Sequence, residues 1–333
     1  MKLTVLGAGC WGLTLAWLLT DNFDEVTVWG RECDISDDLR INKHTVKPLE
    51  VQLKDKVEIS SDLASAIDGA DIVMSVVATS GTRDVCENLK KAGIKPNQIF
   101  VNASKGIELP SLMRMSEVIK DVLPEQKLVI LSGPTLAKEV LAGKPTAACA
   151  ASEDMEAAEF VQKTCTVPGK FRLYTNSDVI GVELGGSLKN VIAIASGFAH
   201  EMKLGDNCAG TLLTRGMAEI VRVSIQLGAN PSTLYGLSGM GDLIATCSSP
   251  LSRNYTVGSM LGKGKKIDDI LRELGSVAEG VKTSKAICEL AKKLEIDVPV
   301  SNAIYEAVYT DITPEELLAK LMNRKLKEEE RYI

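Results

Sequence analysis

The chain opens with the short apolar run Leu3-Thr-Val-Leu6, a glycine-rich turn, and a second apolar run from Leu13 to Leu19. This pattern predicts a buried strand, a tight turn and a helix. Similar short apolar runs recur at Glu25-Val-Thr-Val-Trp29, Ile72-Val-Met-Ser-Val-Val77, Ile99-Phe-Val-Asn102 and Leu128-Val-Ile-Leu131. Helical patterns separate them, at Leu63 to Ile67, after Thr79-Ser-Gly-Thr82, and at the end of Ser132 to Glu139. Strands and helices alternating over some 150 residues predict an α/β domain built on a doubly wound, mostly parallel sheet. Residues 36–56 are polar and irregular and yield no assignment.

After Asn176 the strand signals stop. Helical patterns cover 178–200, 209–227, 231–236, 252–262, 267–273, 280–294, 300–309 and 314–321. The expected organisation is a sheet domain over 1–176 and an all-helical domain over 177–333, with a substrate cleft between them. The charged run Asn323 to Arg331 is expected to be a solvated end.

The stretch Asp178 to Phe198 is mostly apolar, lacks proline, and has Asp178 placed to cap a long buried helix. Lys189 lies in its middle, near Gly185, Gly186 and Ser187 and followed by Asn190. A buried ammonium must be paired or have its pKa lowered, and the latter suits a proton donor at neutral pH. Alternatively the side chain snorkels to solvent. The glycines let a ligand or another backbone come close.

Composition narrows the classes. At 333 residues, two domains are the default. A formal net charge of -6 argues against a nucleic-acid or anionic-membrane partner. The eight cysteines include no C-x-x-C pair, which indicates neither a metal site nor a redox pair and fits a reducing cytoplasm. With only His44 and His200, a histidine triad is not expected. The run Leu3 to Leu19 is interrupted by glycines and lacks a cleavage site, so it is not read as a signal peptide, and no other segment is expected to approach membrane-spanning length.

Gly7-Ala-Gly-Cys-Trp-Gly12 is G-x-G-x-x-G between a strand and a helix, the setting in which the motif points to dinucleotide binding. Gly7 permits the turn, Gly9 lets a pyrophosphate approach the backbone, and Gly12 lets helix and strand pack. The second strand ends at Trp29-Gly30-Arg31, where an NAD-preferring site usually carries an acid. Arg31 suits a 2′-phosphate and hence NADP, Glu32 keeps NAD open, and a plain surface arginine is the third reading. Lys105 follows the strand ending at Asn102, on the ligand side of such sheets. In the helical half, Gly236, Gly239 and Gly241 precede Asp242, and Ser252-Arg-Asn254 opens a helix. Together these read as a backbone cradle and a phosphate site.

Taken together, these motifs closely resemble the bacterial-type NAD(P)-dependent glycerol-3-phosphate dehydrogenases. The resemblance runs over nearly the whole chain. It is carried by G-A-G-C-W-G (7–12), N-A-S-K-G-I-E (102–108), S-G-P-T-L-A-K-E-V (132–140) and L-K-N-V-I-A-I-A-S-G (188–197). G-x-G-D-L-x-x-T-C (239–247), S-R-N (252–254) and V-A-E-G-V-K-T (277–283) extend it. It implies a Rossmann domain followed by an all-α domain, and reversible reduction of dihydroxyacetone phosphate by NAD(P)H to sn-glycerol 3-phosphate for phospholipid synthesis. Lys189 would be the general acid/base, with Lys105 and Asp242 orienting the substrate or the lysine. Lys105, Gly133, Thr135, Asp242, Ser252, Arg253 and Asn254, with Lys189, would line the substrate. Cofactor contacts would come from Gly7, Gly9, Cys10, Trp11, Gly12, Arg31, Lys105, Ala137, Arg253, Val277 and Glu279. NADP is the preferred cofactor and NAD the alternative. No metal is expected, and a homodimer is one expectation for the assembly.

Two local departures accompany the resemblance. Ile41-Asn-Lys-His44 is followed by Thr-Val-Lys-Pro-Leu-Glu rather than a Y-L-P-G-like segment, and Val77-Ala-Thr79 stands where V-P-[ST] is usual. Among other enzymes, ketopantoate reductases and β-hydroxyacid dehydrogenases place Asn or His three or four residues after the lysine, where this chain has Ile192 and Ala193. A short-chain dehydrogenase needs Y-x-x-x-K, and no tyrosine here has a lysine four residues on. A non-catalytic dinucleotide sensor would not need Lys105, Lys189 and Ser252-Arg-Asn254 together.

Overall fold

The computed structural model describes residues 1–46, 49–275, 277–326 and 328–329. It divides into two units. One comprises Met1–Lys105 and Met113–Val179; the other comprises Gly106–Leu112 and the chain from Ile180 onward.

The first unit runs β1 (Lys2–Leu6), α1 (Cys10–Leu19), β2 (Glu25–Trp29), α2 (Asp37–Asn42), β3 (His44–Thr45), β4 (Val51–Gln52), β5 (Val57–Ser60), α3 (Leu63–Ile67) and β6 (Ile72–Ser75). It continues with α4 (Thr82–Ala92), β7 (Ile99–Asn102), α5 (Met115–Val122), β8 (Lys127–Ser132), α6 (Ala137–Leu141), β9 (Thr146–Ala151), α7 (Met155–Cys165) and β10 (Phe171–Asn176). Eight strands form one sheet in the order β10-β9-β8-β7-β6-β1-β2-β5, parallel throughout except where β8 meets β9. The doubly wound, mostly parallel α/β architecture expected from the alternating pattern is therefore present.

From β1 the chain winds outward through β2 and β5, then returns to β6 on the other side of β1. The topological switch lies between β1 and β6, where open α/β sheets bind ligands at the carboxyl ends of their strands. Leu3, Val5, Val26, Val28, Ile72, Met74, Val101 and Val129 fill the core on this sheet. The stretch that gave no assignment holds the short helix α2 and the β3–β4 hairpin, with Lys47 and Pro48 outside the described residues. The strand predicted to Val77 ends at Ser75, and three strands absent from the pattern-based reading, β5, β9 and β10, complete the sheet.

The second unit is helical: α8 (Val179–Glu201), α9 (Gly205–Gln226), α10 (Pro231–Leu234), α11 (Asp242–Cys247), α12 (Arg253–Gly262), α13 (Ile267–Leu274), α14 (Glu279–Lys293), α15 (Pro299–Tyr309) and α16 (Pro314–Met322). The charged run after Asn323 lies partly outside the described residues. Every residue of α8 from Gly181 to Ala195 is buried. α8 has 23 residues, and its most apolar window has mean hydropathy 1.3, so by length and composition it could cross a membrane, which corrects the expectation that no further segment approaches that length. Its most apolar window is 83% buried inside the protein, as befits a helix apolar on all sides that forms a core.

Neighbouring backbones reach α8 through glycines. A Cβ on Gly197 would lie 1.9 Å from the Tyr255 carbonyl oxygen, and one on Gly258 would lie 1.8 Å from that of Ile194, so α8 and α12 touch backbone to backbone. On α9, Gly216 faces the Ile192 side chain, which a Cβ would meet at 2.6 Å. Ile107, from the short excursion 106–112, joins this core with Leu109 and Leu112 packed beside it.

Candidate active site

In the sheet unit, the three glycines of the first turn have three separate tasks. Gly7 has φ of +119°, a conformation that disfavours a side chain, and its N–H donates to the Trp29 carbonyl at 2.7 Å. Gly9 occupies the N-cap of α1 without a side-chain cap, and a Cβ there would meet nothing within 4 Å. A Cβ on Gly12 would fall 2.0 Å from the Gly7 oxygen, so helix and turn close only around glycine. The first N–H groups of α1, starting at Cys10 and Trp11, have no intrahelical acceptor and face an open approach. A pyrophosphate fits this cradle, and the residues present suit a dinucleotide.

Further along the same strand ends, Lys105 Nζ donates to the Gly133 carbonyl at 2.9 Å, and the Thr135 hydroxyl donates to the same oxygen at 3.2 Å. Ser104 Oγ holds the Val77 carbonyl at 2.6 Å, which ties the turn after β7 to the end of β6. Gly133 has φ of +152° and packs so tightly on Ala148 that a Cβ would meet its Cα at 2.8 Å. Ala137 is the first residue of α6, just beyond this turn. Lys105, Gly133 and Thr135 are thus one local cluster.

Arg31 lies just beyond β2 and is exposed, with Nε and one terminal nitrogen on Asp34 at 2.7 and 2.9 Å. The guanidinium holds the Asp34 carboxyl below the usual carboxylate range. Glu32 takes a bond from Arg40 at 2.7 Å.

In the helical unit, Lys189 does not snorkel to solvent. It is buried on α8 and donates to Asp242 Oδ1 at 2.8 Å and to Thr246 Oγ at 2.5 Å. Thr246 in turn donates to Asp242 Oδ1 at 3.1 Å, which closes a triangle of three buried side chains. Pairing is what makes the buried charge tolerable.

One helical turn before Lys189, Gly185 admits the 237–241 segment, and a Cβ there would lie 2.8 Å from the Ser238 carbonyl oxygen. That glycine therefore admits another backbone, which delivers Asp242 and α11 to Lys189. Gly239 packs on the Leu234 carbonyl, at 2.0 Å from a would-be Cβ. Gly239 accordingly serves chain-to-chain packing, a use that the backbone-cradle reading did not include.

The next residue on α8 begins a second network. Asn190 accepts from Asn254 Nδ2 at 2.9 Å, and Asn254 Oδ1 accepts the Gly280 N–H at 3.0 Å, which joins α8, α12 and α14. Gly280 must be glycine there, since a Cβ would lie 2.6 Å from the Asn190 carbonyl oxygen. Ser252 spends its hydroxyl as the N-cap of α12, accepting from Tyr255 N–H at 3.3 Å, while Arg253 is exposed in the first turn. Val277 is exposed, and Glu279 is the first residue of α14.

Cys247, next to Thr246, has its thiol pushed up to about 11 by burial, so it carries no thiolate chemistry at neutral pH. Thr246, Asn190 and Asp34 were not singled out by sequence reasoning. Thr246 and Asn190 stand inside recognised motifs, and their spacing to Asp242 and Lys189 is the signal that could have found them.

The chain matches the family described as NAD-dependent glycerol-3-phosphate dehydrogenase N-terminus over residues 2–158 and its C-terminus counterpart over 178–319. It is 44% identical to a glycerol-3-phosphate dehydrogenase [NAD(P)+] of Listeria monocytogenes, over 98% of this chain and 97% of that one. It is 43% identical to a protein of the same name from Lysinibacillus sphaericus, over 98% of each. It is also similar to the crystal structure of glycerol-3-phosphate dehydrogenase from Coxiella burnetii. The TM-score there is 0.91, at 30% identity, covering 97% of this chain and 99% of that one. On motifs, fold and site together, the chain belongs to the NAD-dependent glycerol-3-phosphate dehydrogenase family.

Proposed function

We propose that this chain reversibly reduces dihydroxyacetone phosphate with NAD(P)H to sn-glycerol 3-phosphate, which supplies glycerophospholipid synthesis in the cytoplasm. The observation that carries the reading is the buried triangle of Lys189, Asp242 and Thr246. A bound dinucleotide supplies or accepts the hydride. As the substrate carbonyl carbon becomes an alcohol carbon, its oxygen gains charge and needs one proton. The Lys189 ammonium gives that proton and is left as a neutral amine. Asp242 remains a carboxylate and keeps the lysine aimed through its hydrogen bond. In the reverse direction the neutral amine takes the hydroxyl proton, as a general base.

Thr246 holds both partners and fixes the lysine rotamer. In the sheet unit, the Gly7–Gly12 turn receives the pyrophosphate, while Lys105 and the Gly133–Thr135 turn present polar groups to substrate. In the helical unit, Arg253 and Asn254 bind the anionic end, with Asn254 oriented by Asn190 and the Gly280 N–H.

Lys189→Gln tests the role directly. Removing the lysine outright would strand a buried carboxylate, at a cost of about 3–5 kcal/mol, whereas glutamine can still hydrogen-bond to Asp242 and Thr246. Acid catalysis of this kind is worth roughly 10²- to 10⁴-fold. The variant is expected to lose about that much kcat while it binds reduced dinucleotide within about twofold of the parent. Turnover near that of the parent would remove Lys189 from the mechanism.

A further inference from the structure

Arg31, the residue placed to read the adenosine ribose, already has one of its two bidentate edges filled. The three-residue turn Glu32–Asp34 folds the chain back on the end of β2 and brings the Asp34 carboxylate onto Arg31 as a two-point pair, 2.7 and 2.9 Å. This is one of the two forks of parallel N–H groups through which an arginine takes a phosphate, the other being formed with Nη1. Between Arg31 and Arg40 the sequence also carries Glu32, Asp37 and Asp38. Glu32 is held by Arg40 at 2.7 Å, and Asp38 by Asn42 at 2.8 Å and His44 at 2.7 Å. Asp34 is the carboxylate that sits on Arg31.

We propose that Asp34 is a specificity-determining residue that competes with the 2′-phosphate of NADPH for Arg31, so that this chain accepts NADH and NADPH with comparable affinity. The inference rests on the dehydrogenase reading above. An NADPH 2′-phosphate either displaces the Asp34 carboxylate from Nε and its neighbouring terminal nitrogen or takes the remaining Nη1 edge beside a carboxylate that offsets the arginine's charge. An NADH ribose, with two neutral hydroxyls, meets no such competitor. The pair is exposed, so its competition is limited. Exposed ion pairs of this kind correspond to a change of up to about fivefold in an equilibrium.

The test is calorimetric titration of the full chain with ADP-ribose and with 2′-phospho-ADP-ribose, which probe the ribose end without any turnover. The parent is expected to bind the two within about tenfold of each other. In Asp34→Asn, 2′-phospho-ADP-ribose should bind about three- to fivefold more tightly and ADP-ribose within about twofold of the parent. Asp34→Ser should behave the same way. Adding Arg31→Ala to Asp34→Asn should abolish the gain. Asp21→Asn removes an equal charge from the exposed Lys54 pair elsewhere in this unit and should change neither affinity. Equal changes for both ligands in Asp34→Asn, or no change, would overturn the inference while leaving the dehydrogenase reading intact. Failure of the parent to bind either ligand would overturn both, because the dinucleotide site itself would be absent.

Discussion

Lys189 and Glu219 are both ionisable groups buried on long helices of the same unit, yet their surroundings settle them in opposite ways. Lys189 has a carboxylate at 2.8 Å. Glu219, on α9, receives the N–H groups of Val300 and Ser301 and the Ser301 hydroxyl at 2.5, 3.0 and 2.8 Å, and so caps the start of α15. Burial outweighs these donors and pushes the Glu219 carboxyl up to about 7, the hydrogen bonds and the charge of Arg222 acting in the opposite sense. A carboxyl whose folded-state pKa exceeds its unfolded value binds more protons when folded, so its contribution to stability falls as pH rises between the two values. For Glu219 that window runs from about 4.5 to about 7. At about 1.4 kcal/mol per unit the loss is on the order of 3 kcal/mol. The expected result is that Glu219→Gln flattens the change in unfolding free energy across this window, measured by denaturant titration at several pH values. An unchanged slope would mean that Glu219 does not carry a proton there.

At the scale of elements, the helical unit is assembled around α8 by backbone approach at glycines. Alanine at Gly258 would put a methyl group 1.8 Å from the Ile194 carbonyl oxygen, so α12 must retreat from α8. Overpacking of this severity belongs at the upper end of the usual range, about 3 kcal/mol, and should appear as a lowered denaturant midpoint. Gly210, in α9, is the counter-case, because a Cβ there meets nothing within 4 Å. Gly210→Ala should stabilise by about 0.5–1 kcal/mol through helix propensity alone. If Gly258→Ala is as stable as the parent, the close packing of α8 on α12 is wrong.

Elements that are continuous in sequence were the legible ones. α8 announced itself by a long, mostly apolar stretch without proline, and β1 with α1 by the glycine motif between them. β9 was silent because Thr-Ala-Ala-Cys-Ala-Ala is alanine-rich and alanine has little strand preference. β10 did carry a signal, since Phe171 and Leu173 are buried while Arg172 and Tyr174 are exposed, the period-two pattern of an edge strand. What no local pattern could supply was pairing across long separations. Asp242 lies 53 residues from Lys189, and their meeting depends on Gly185 admitting the 237–241 turn. The resemblance left open whether Asp242 orients the substrate or the lysine; packing puts it on the lysine. The Arg31–Asp34 pair is the reverse case, legible as i,i+3 spacing and overlooked because attention went to the arginine alone.

For the whole molecule, an eight-stranded doubly wound sheet and an all-helical unit built on α8 each bring chemistry-bearing groups to defined places. The sheet unit offers a dinucleotide cradle at the β1–β6 switch, and the helical unit offers a buried, carboxylate-paired lysine. Neither group of residues alone makes a dehydrogenase, so the account stands or falls on turnover by the intact chain. The most direct measurement is loss of reduced-nicotinamide absorbance when dihydroxyacetone phosphate is added to the purified protein with NADH and, in parallel, with NADPH. Glyceraldehyde 3-phosphate and ketopantoate serve as controls. The account predicts rapid oxidation with dihydroxyacetone phosphate, with either cofactor, and little with the other two carbonyl compounds. No oxidation with dihydroxyacetone phosphate and either cofactor, or equal rates with ketopantoate, would contradict it.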